Sequence, residues 1–187
     1  MNFKNWSLRR LALTVGDHLR RRGVETVLTG GACVSIHSRN RFASFDLDFV
    51  LMAAEDRRPG RLALEELGFR KDGRHFRHPD TPYLVEFLLP PVSIGSEPVL
   101  RPAEIRSGRR LLKLLSPTDC VKDRLAAYFF WNDRLSLAQA LGVAARNAVD
   151  FQDIRRWAKS EGMDEKFLHF KKRTAGARKT GPESGAP

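Results

Sequence analysis

The sequence predicts an α/β fold that gives way to a C-terminal helical bundle. Three observations lead there. Val24 to Leu51 reads as a strand, a glycine-initiated helix and a second strand. Phe69 to Pro90 supplies a hairpin and a further apolar strand. From Pro117 to about residue 170 every segment reads as helix.

The elements follow in order. Trp6 to Arg22 is a helix, with Leu8, Leu11, Ala12, Val15 and Leu19 on one face and arginines filling much of the rest. Gly23 ends it. Val24 to Thr29 is β-prone, Gly30 and Gly31 open the short apolar helix Ala32 to Ile36, and Ser44 to Leu51 is the next strand. Side chains alternate across a strand, so Ser44, Asp46 and Asp48 share one face and Phe45, Leu47, Phe49 and Leu51 the other. Arg57 to Gly60 reads as a turn, Leu62 to Leu67 as a helix closed by Gly68, and Phe69 to Arg77 as a hairpin turning at Asp72-Gly73. Pro82 to Pro90 is apolar on both faces and is expected to be a central buried strand, with Glu86 its one exception. Pro90 to Pro102 is a connector with an edge strand at Val99 to Arg101, and Arg109 to Leu115 is another apolar arm. Ser116 caps the helix that Pro117 begins. Helices then follow at 117–132, 136–147, 150–161 and 164–172, with Phe129, Phe130, Trp131 and Trp157 expected in the core.

These elements divide into an α/β domain at 1–115, a helical region at 116–172 and a disordered basic tail at 173–187. The 187 residues, 42% hydrophobic, are enough for that much core. No apolar run reaches the length of a membrane span, and the first residues lack the apolar stretch of a secretory leader. Cys33 and Cys120 lie far apart in apolar contexts, which reads as two buried thiols in a reducing cytoplasm. The spacing of His and Cys gives no zinc motif, and His75 and His78, three apart on a strand, face opposite ways. The formal net charge is +11, of which residues 171–187 supply +4. Such a balance attracts polyanions, and it is equally the mark of a composition in which Arg is simply abundant.

The chemistry concentrates in Gly30 to Asp48. Two carboxylates on one strand face repel each other, and a divalent cation between them keeps both ionised. Glycines at a helix N-terminus let a phosphate reach the free N–H groups. Glu86, in the middle of an apolar strand, is costly unless paired with an arginine or held by metal. Lys122, Asp123 and Arg124 sit one after another on the first of the later helices.

Gly30-Gly31 followed by Arg41-x-x-Ser44-x-Asp46-x-Asp48 resembles the motif of the nucleotidyltransferase fold, the DNA polymerase β-like superfamily. The likeness is greatest to the minimal bacterial nucleotidyltransferases and the AbiEii-type toxins, and it covers residues 24–90 well. It implies a mixed sheet. It implies that Asp46, Asp48 and a third acid, here Glu86, are catalytic and hold Mg²⁺, with Mn²⁺ an alternative. Gly30, Gly31, Arg41 and Ser44 would meet the nucleotide, and Lys122 would reach its triphosphate. Ala32 departs from the Thr or Ser usual in the toxins, which removes one side-chain contact. The function implied is transfer of a nucleoside monophosphate from an NTP to a hydroxyl of tRNA or of a partner protein. Such an enzyme would work in the cytoplasm, in a toxin–antitoxin setting with a cognate antitoxin. A rival reading is a binding module of the same fold without turnover. A basic DNA-binding helical protein is a third, for which no recognition helix is evident.

Overall fold

The structure, a computed structural model, describes residues 2–53 and 57–179. Seven strands form one mixed sheet and two more a small hairpin. Helix α1 (Leu8–Arg21) leads into β1 (Thr26–Thr29), α2 (Gly30–His37) and β2 (Asp46–Leu51). Helix α3 (Arg58–Glu66), the β3–β4 hairpin (Arg70–Asp72 and His75–Arg77) and β5 (Leu84–Leu88) come next. The small hairpin β6–β7 (Ser93–Ile94 and Glu97–Pro98) precedes β8 (Ala103–Ser107) and β9 (Arg110–Leu114). Four helices complete the chain: α4 (Pro117–Trp131), α5 (Arg134–Ala144), α6 (Phe151–Ser160) and α7 (Asp164–Lys179).

The sheet runs β3-β4-β5-β2-β1-β9-β8. The β2–β5 and β1–β9 pairs are parallel and the others antiparallel. Helix α1 lies on the face bearing Phe49 and Leu112, where Gly16 lets it approach closely. On the same side, Gly60 of α3 sits against the Phe87 ring. The acids of β2 and β5 point to the other face, because they alternate with Phe49 and Phe87.

One buried cluster runs from Leu11 through Phe49 and Val121 to Trp157 and Phe170, so sheet and helices share a continuous core. Trp157 stacks on Phe129, with ring centroids 5.5 Å apart, and its Nε1 donates to the Ile94 carbonyl at 3.1 Å. That bond ties the β6–β7 hairpin to the helices. Ser116 caps α4 as expected, its Oγ accepting from the Asp119 N–H at 3.0 Å. The arginines of α1 have local work: Arg20 and Arg21 pair with Asp17, Arg22 pairs with Glu66, and Arg10 lies over Trp6. Among the described residues no helix is long and apolar enough to cross a membrane.

Several expectations are corrected. Arg58 to Gly60 forms the first turn of α3 rather than a free turn, with Pro59 tolerated because an N-terminal N–H lacks a helical partner anyway. The hairpin loop is Gly73-Arg74, Gly73 taking a positive φ of 61°, and Asp72 ends β3. β5 is interior to the sheet but buried on one face only; Leu84, Glu86 and Leu88 are half-exposed. Val99 to Arg101 is not a strand, and the edge is β8, whose alternation is too weakly apolar to stand out. Phe45 precedes β2 and is exposed, stacked at 6.1 Å on Tyr83. Phe130 and Trp131 are exposed as well, since α4 has already turned Phe129 into the core. The helix α7 continues through Lys179, with Thr174 buried, so the expected tail from 173 begins as helix. Residues 180–187 of that tail lie outside the described residues.

Candidate active site

A row of residues crosses four strands. The antiparallel β1–β2 register sets Thr29 opposite Asp48, the parallel β2–β5 register sets Asp48 beside Glu86, and the β4–β5 register sets Glu86 opposite His75. Paired residues project to one face, so Asp48 and Glu86 stand side by side on strands spaced about 4.8 Å apart. Asp46 is two residues up β2 on that same face, at its exposed end.

Helix α2 begins at this row. Thr29 precedes its first residue, and its Oγ1 donates to the Asp48 carbonyl at 3.3 Å. Gly30 has a φ of 65°, and a Cβ there would lie 2.5 Å from Asp48 Oδ2. A Cβ on Gly31 would lie 2.9 Å from Ser44 Oγ. Gly30 is demanded by its positive φ and the closeness of the carboxylate, while Gly31 leaves room for the Ser44 hydroxyl. Gly30→Ala combines strain at positive φ with that contact, so it is expected to cost about 2 kcal/mol of stability, readable by urea denaturation.

The acids are crowded. Burial, then the charges of Asp46 and Glu86, push the Asp48 carboxyl up to about 6, with Arg124 acting in the opposite direction. Arg124 is half-buried on α4 and is itself held by Asp123, at 2.9 and 2.5 Å. Glu86 turns its Oε2 toward His75 Nε2 at 3.3 Å and Arg74 Nε at 3.6 Å. Among the described residues no three acidic, His or Cys side chains converge as a ready-made cation site.

The remaining residues singled out in the sequence fall in different places. Ser44 Oγ donates to the Asp46 carbonyl at 3.2 Å and accepts from the Asp46 N–H at 3.4 Å, so it shapes the approach to β2. Arg41 is exposed just before it, its guanidinium 5.9 Å from the Phe42 ring centre. Lys122 is not at the row. It is buried, with Nζ 2.9 Å from Glu97 and 2.6 Å from Asp153, on the side of α4 that faces the β6–β7 hairpin and α6. The cation that α4 turns toward Asp48 is Arg124, two residues on and about 200° around the helix, on its opposite side. Arg74 is the arginine that Glu86 takes as a partner, and the β4–β5 register brings it and His75 there. Cys33 and Cys120 are buried free thiols, their ionisation suppressed by burial.

The sequence matches no protein-family model, and no curated protein is significantly similar to it. Among solved structures, an antigenic nucleotidyltransferase-like protein from Paracoccidioides brasiliensis superposes with a TM-score of 0.54 at 16% identity, covering 75% of this chain and 76% of that one. The antibiotic-resistance factor ANT(2")-Ia, in complex with adenylyl-2"-tobramycin, gives 0.46 at 11% identity over 89% and 97% of the two chains. Its solution structure gives 0.44 at 13% identity over 92% and 94%. The first of these likenesses, with the mixed sheet and the helices behind it, establishes a nucleotidyltransferase-like fold.

Proposed function

We propose that the protein is a Mg²⁺-dependent nucleotidyltransferase that moves a nucleoside monophosphate from an NTP to a hydroxyl of an RNA acceptor of the tRNA class, as one component of a toxin–antitoxin pair. The observation that carries this reading is the pair Asp48 and Glu86, in register on adjacent strands at the start of a glycine-initiated helix. The donor set fits a divalent cation. It is all carboxylate oxygen, and the charge surplus that pushes Asp48 up to about 6 is what a cation relieves. Asp46 and Asp48 would hold the ion, and Glu86 would join them on exchanging Arg74 and His75 for it. A bound ion supplies charge neutralisation for the reacting phosphates.

The chain's own groups do the rest. The Gly30 and Gly31 backbone N–H groups grip phosphate oxygens at the positive end of α2. Arg41 and Ser44 border the nucleotide, and Arg124 stands ready to offset charge on the departing pyrophosphate. Glu86 accepts the proton of the attacking hydroxyl. In this reading residues 1–115 carry the nucleotide and residues 116–172 the acceptor.

The test is an incubation with each labelled NTP, Mg²⁺, and total RNA plus protein extract, beside an Asp46→Ala, Asp48→Ala double variant. Label in a tRNA-sized band that vanishes in the variant supports the reading. Label in a protein band keeps the transferase and replaces the acceptor. A folded protein that labels nothing with any NTP overturns it in favour of a binding module of this fold.

A further inference from the structure

The helical half carries a second concavity, well along α4 from the acids. It is a groove of about 580 Å³ lined by Tyr128, Asn132, Arg134, Leu137, His169 and Arg173. Its walls are fixed. The Tyr128 hydroxyl and His169 Nδ1 are 2.9 Å apart, and Lys166 of α7 donates to the Tyr128 and Phe129 carbonyls and to Asn132. Its cations are available. Neither Arg134 nor Arg173 has an ion-pair partner among the described residues. Next in the chain to its lining residues Asn132 and Arg134, Trp131 is 76% exposed and Leu135 61%, with Phe130 packed edge-on to Trp131.

A large exposed indole beside unpaired arginines is an unusual way to finish a helix. It suits a ligand that offers flat rings and negative charge together, which is a nucleotide chain with its bases unstacked. The groove is also aligned with the acids. Arg124, Tyr128 and Trp131 recur at i, i+4 and i+7 on α4, within about 60° of one helix face and about 10 Å of its length. Arg124, at the inner end of that stripe, acts on the charge of Asp48. A strand end seated in the groove would thus have a path along α4 to the proposed reacting centre.

We propose that this groove binds the end of a single-stranded polynucleotide, with a base stacked on Trp131, phosphates at Arg134 and Arg173, and the terminal hydroxyl directed along α4 toward Asp48. The proposal rests on the nucleotidyl-transfer reading and names where its acceptor docks.

Fluorescence anisotropy with a labelled single-stranded RNA 12-mer tests it, using the full chain, a single-stranded DNA of the same sequence and the corresponding duplex. Trp131→Ala is expected to weaken single-strand binding about tenfold or more. The Arg134→Ala, Arg173→Ala pair is expected to reduce the salt slope by about 1.4, two phosphate contacts' worth. Binding that is equal for the duplex, unchanged by both groove variants, or displaced equally well by polyglutamate overturns the proposal. Transfer assays separate the two claims. Nucleotide transfer to RNA with an unchanged KM for RNA in Trp131→Ala removes the groove and leaves the reaction. Groove-dependent RNA binding by a wild-type protein that transfers nothing keeps the groove and removes the reaction.

Discussion

Asp48→Asn is expected to make the metal-free protein more stable by about 2 kcal/mol at pH 7.5 and to lower nucleotidyl transfer about 10³-fold. The two effects share one cause. Burial and the neighbouring charges of Asp46 and Glu86 raise the Asp48 carboxyl from its ordinary 3.8 to about 6. Between those values the folded chain holds a proton that the unfolded chain has lost. Stability therefore falls as pH rises through this window, and the full penalty applies above it. At about 1.4 kcal/mol per pH unit the shift sets a ceiling near 3 kcal/mol, and the partial exposure of the site reduces it. Asn removes the charge and the penalty with it, along with the oxygen donor on which the proposed reaction depends. Urea unfolding in EDTA at pH 7.5 and at pH 3.5 reads the first effect. The variant should lead at the higher pH and lose that lead at the lower one. A variant less stable at both would show that Asp48 is held by bonds rather than strained by neighbours.

Lys122→Ala is expected to cost about 3 kcal/mol of stability while leaving transfer per folded molecule unchanged. The Lys122 side chain is 2% exposed and bonds Glu97 and Asp153, which also share Arg156. Burial alone would raise both acids; the bonds from Lys122 and Arg156 bring them below their ordinary values. For acids lowered in this way the stabilisation is present at neutral pH and disappears as pH falls through their folded values. The variant's deficit should accordingly shrink in acid. Alanine leaves two half-buried carboxylates on a single arginine and a hole where the aliphatic stem packed. Denaturation and initial-rate measurements on the folded fraction check the two halves. A variant of normal stability that no longer binds NTP would return Lys122 to the nucleotide.

The contrast between Asp48 and Lys122 shows what could be read from the sequence. Strand alternation alone placed Asp46 and Asp48 on one face opposite Leu47 and Phe49, and β2 obeys it because its other face must be buried. Glu86 stood out as the one charge in an apolar run, and the helix boundaries at Gly23, Ser116 and Gly162 followed from caps and stops. Partners set by distant pairing were not legible. Nothing local to Arg74 or His75 says that β4 will lie antiparallel to β5, and nothing local to Lys122 reveals Glu97 and Asp153, 25 residues before it in one case. Trp131 misled for a related reason. Aromatic density predicts a core, but a helix sets residues two apart about 200° around its axis, so Phe129 and Trp131 could not both face inward.

The parallel pairing of β2 with β5 has a consequence for how the protein comes into being. Asp48 and Glu86 are 38 residues apart in the chain, and they meet only when β5 settles beside β2 after α3 and the β3–β4 hairpin. β1 must likewise wait for β9, whose Leu114 pairs with Leu28. Joining distant segments is slow compared with forming a helix or a hairpin. During synthesis the emerging chain therefore presents both aspartates of β2 and the glycine-led helix before Glu86 can stand beside them. The sheet around the candidate site is complete only once β9, which ends at Leu114, has emerged and paired with β1.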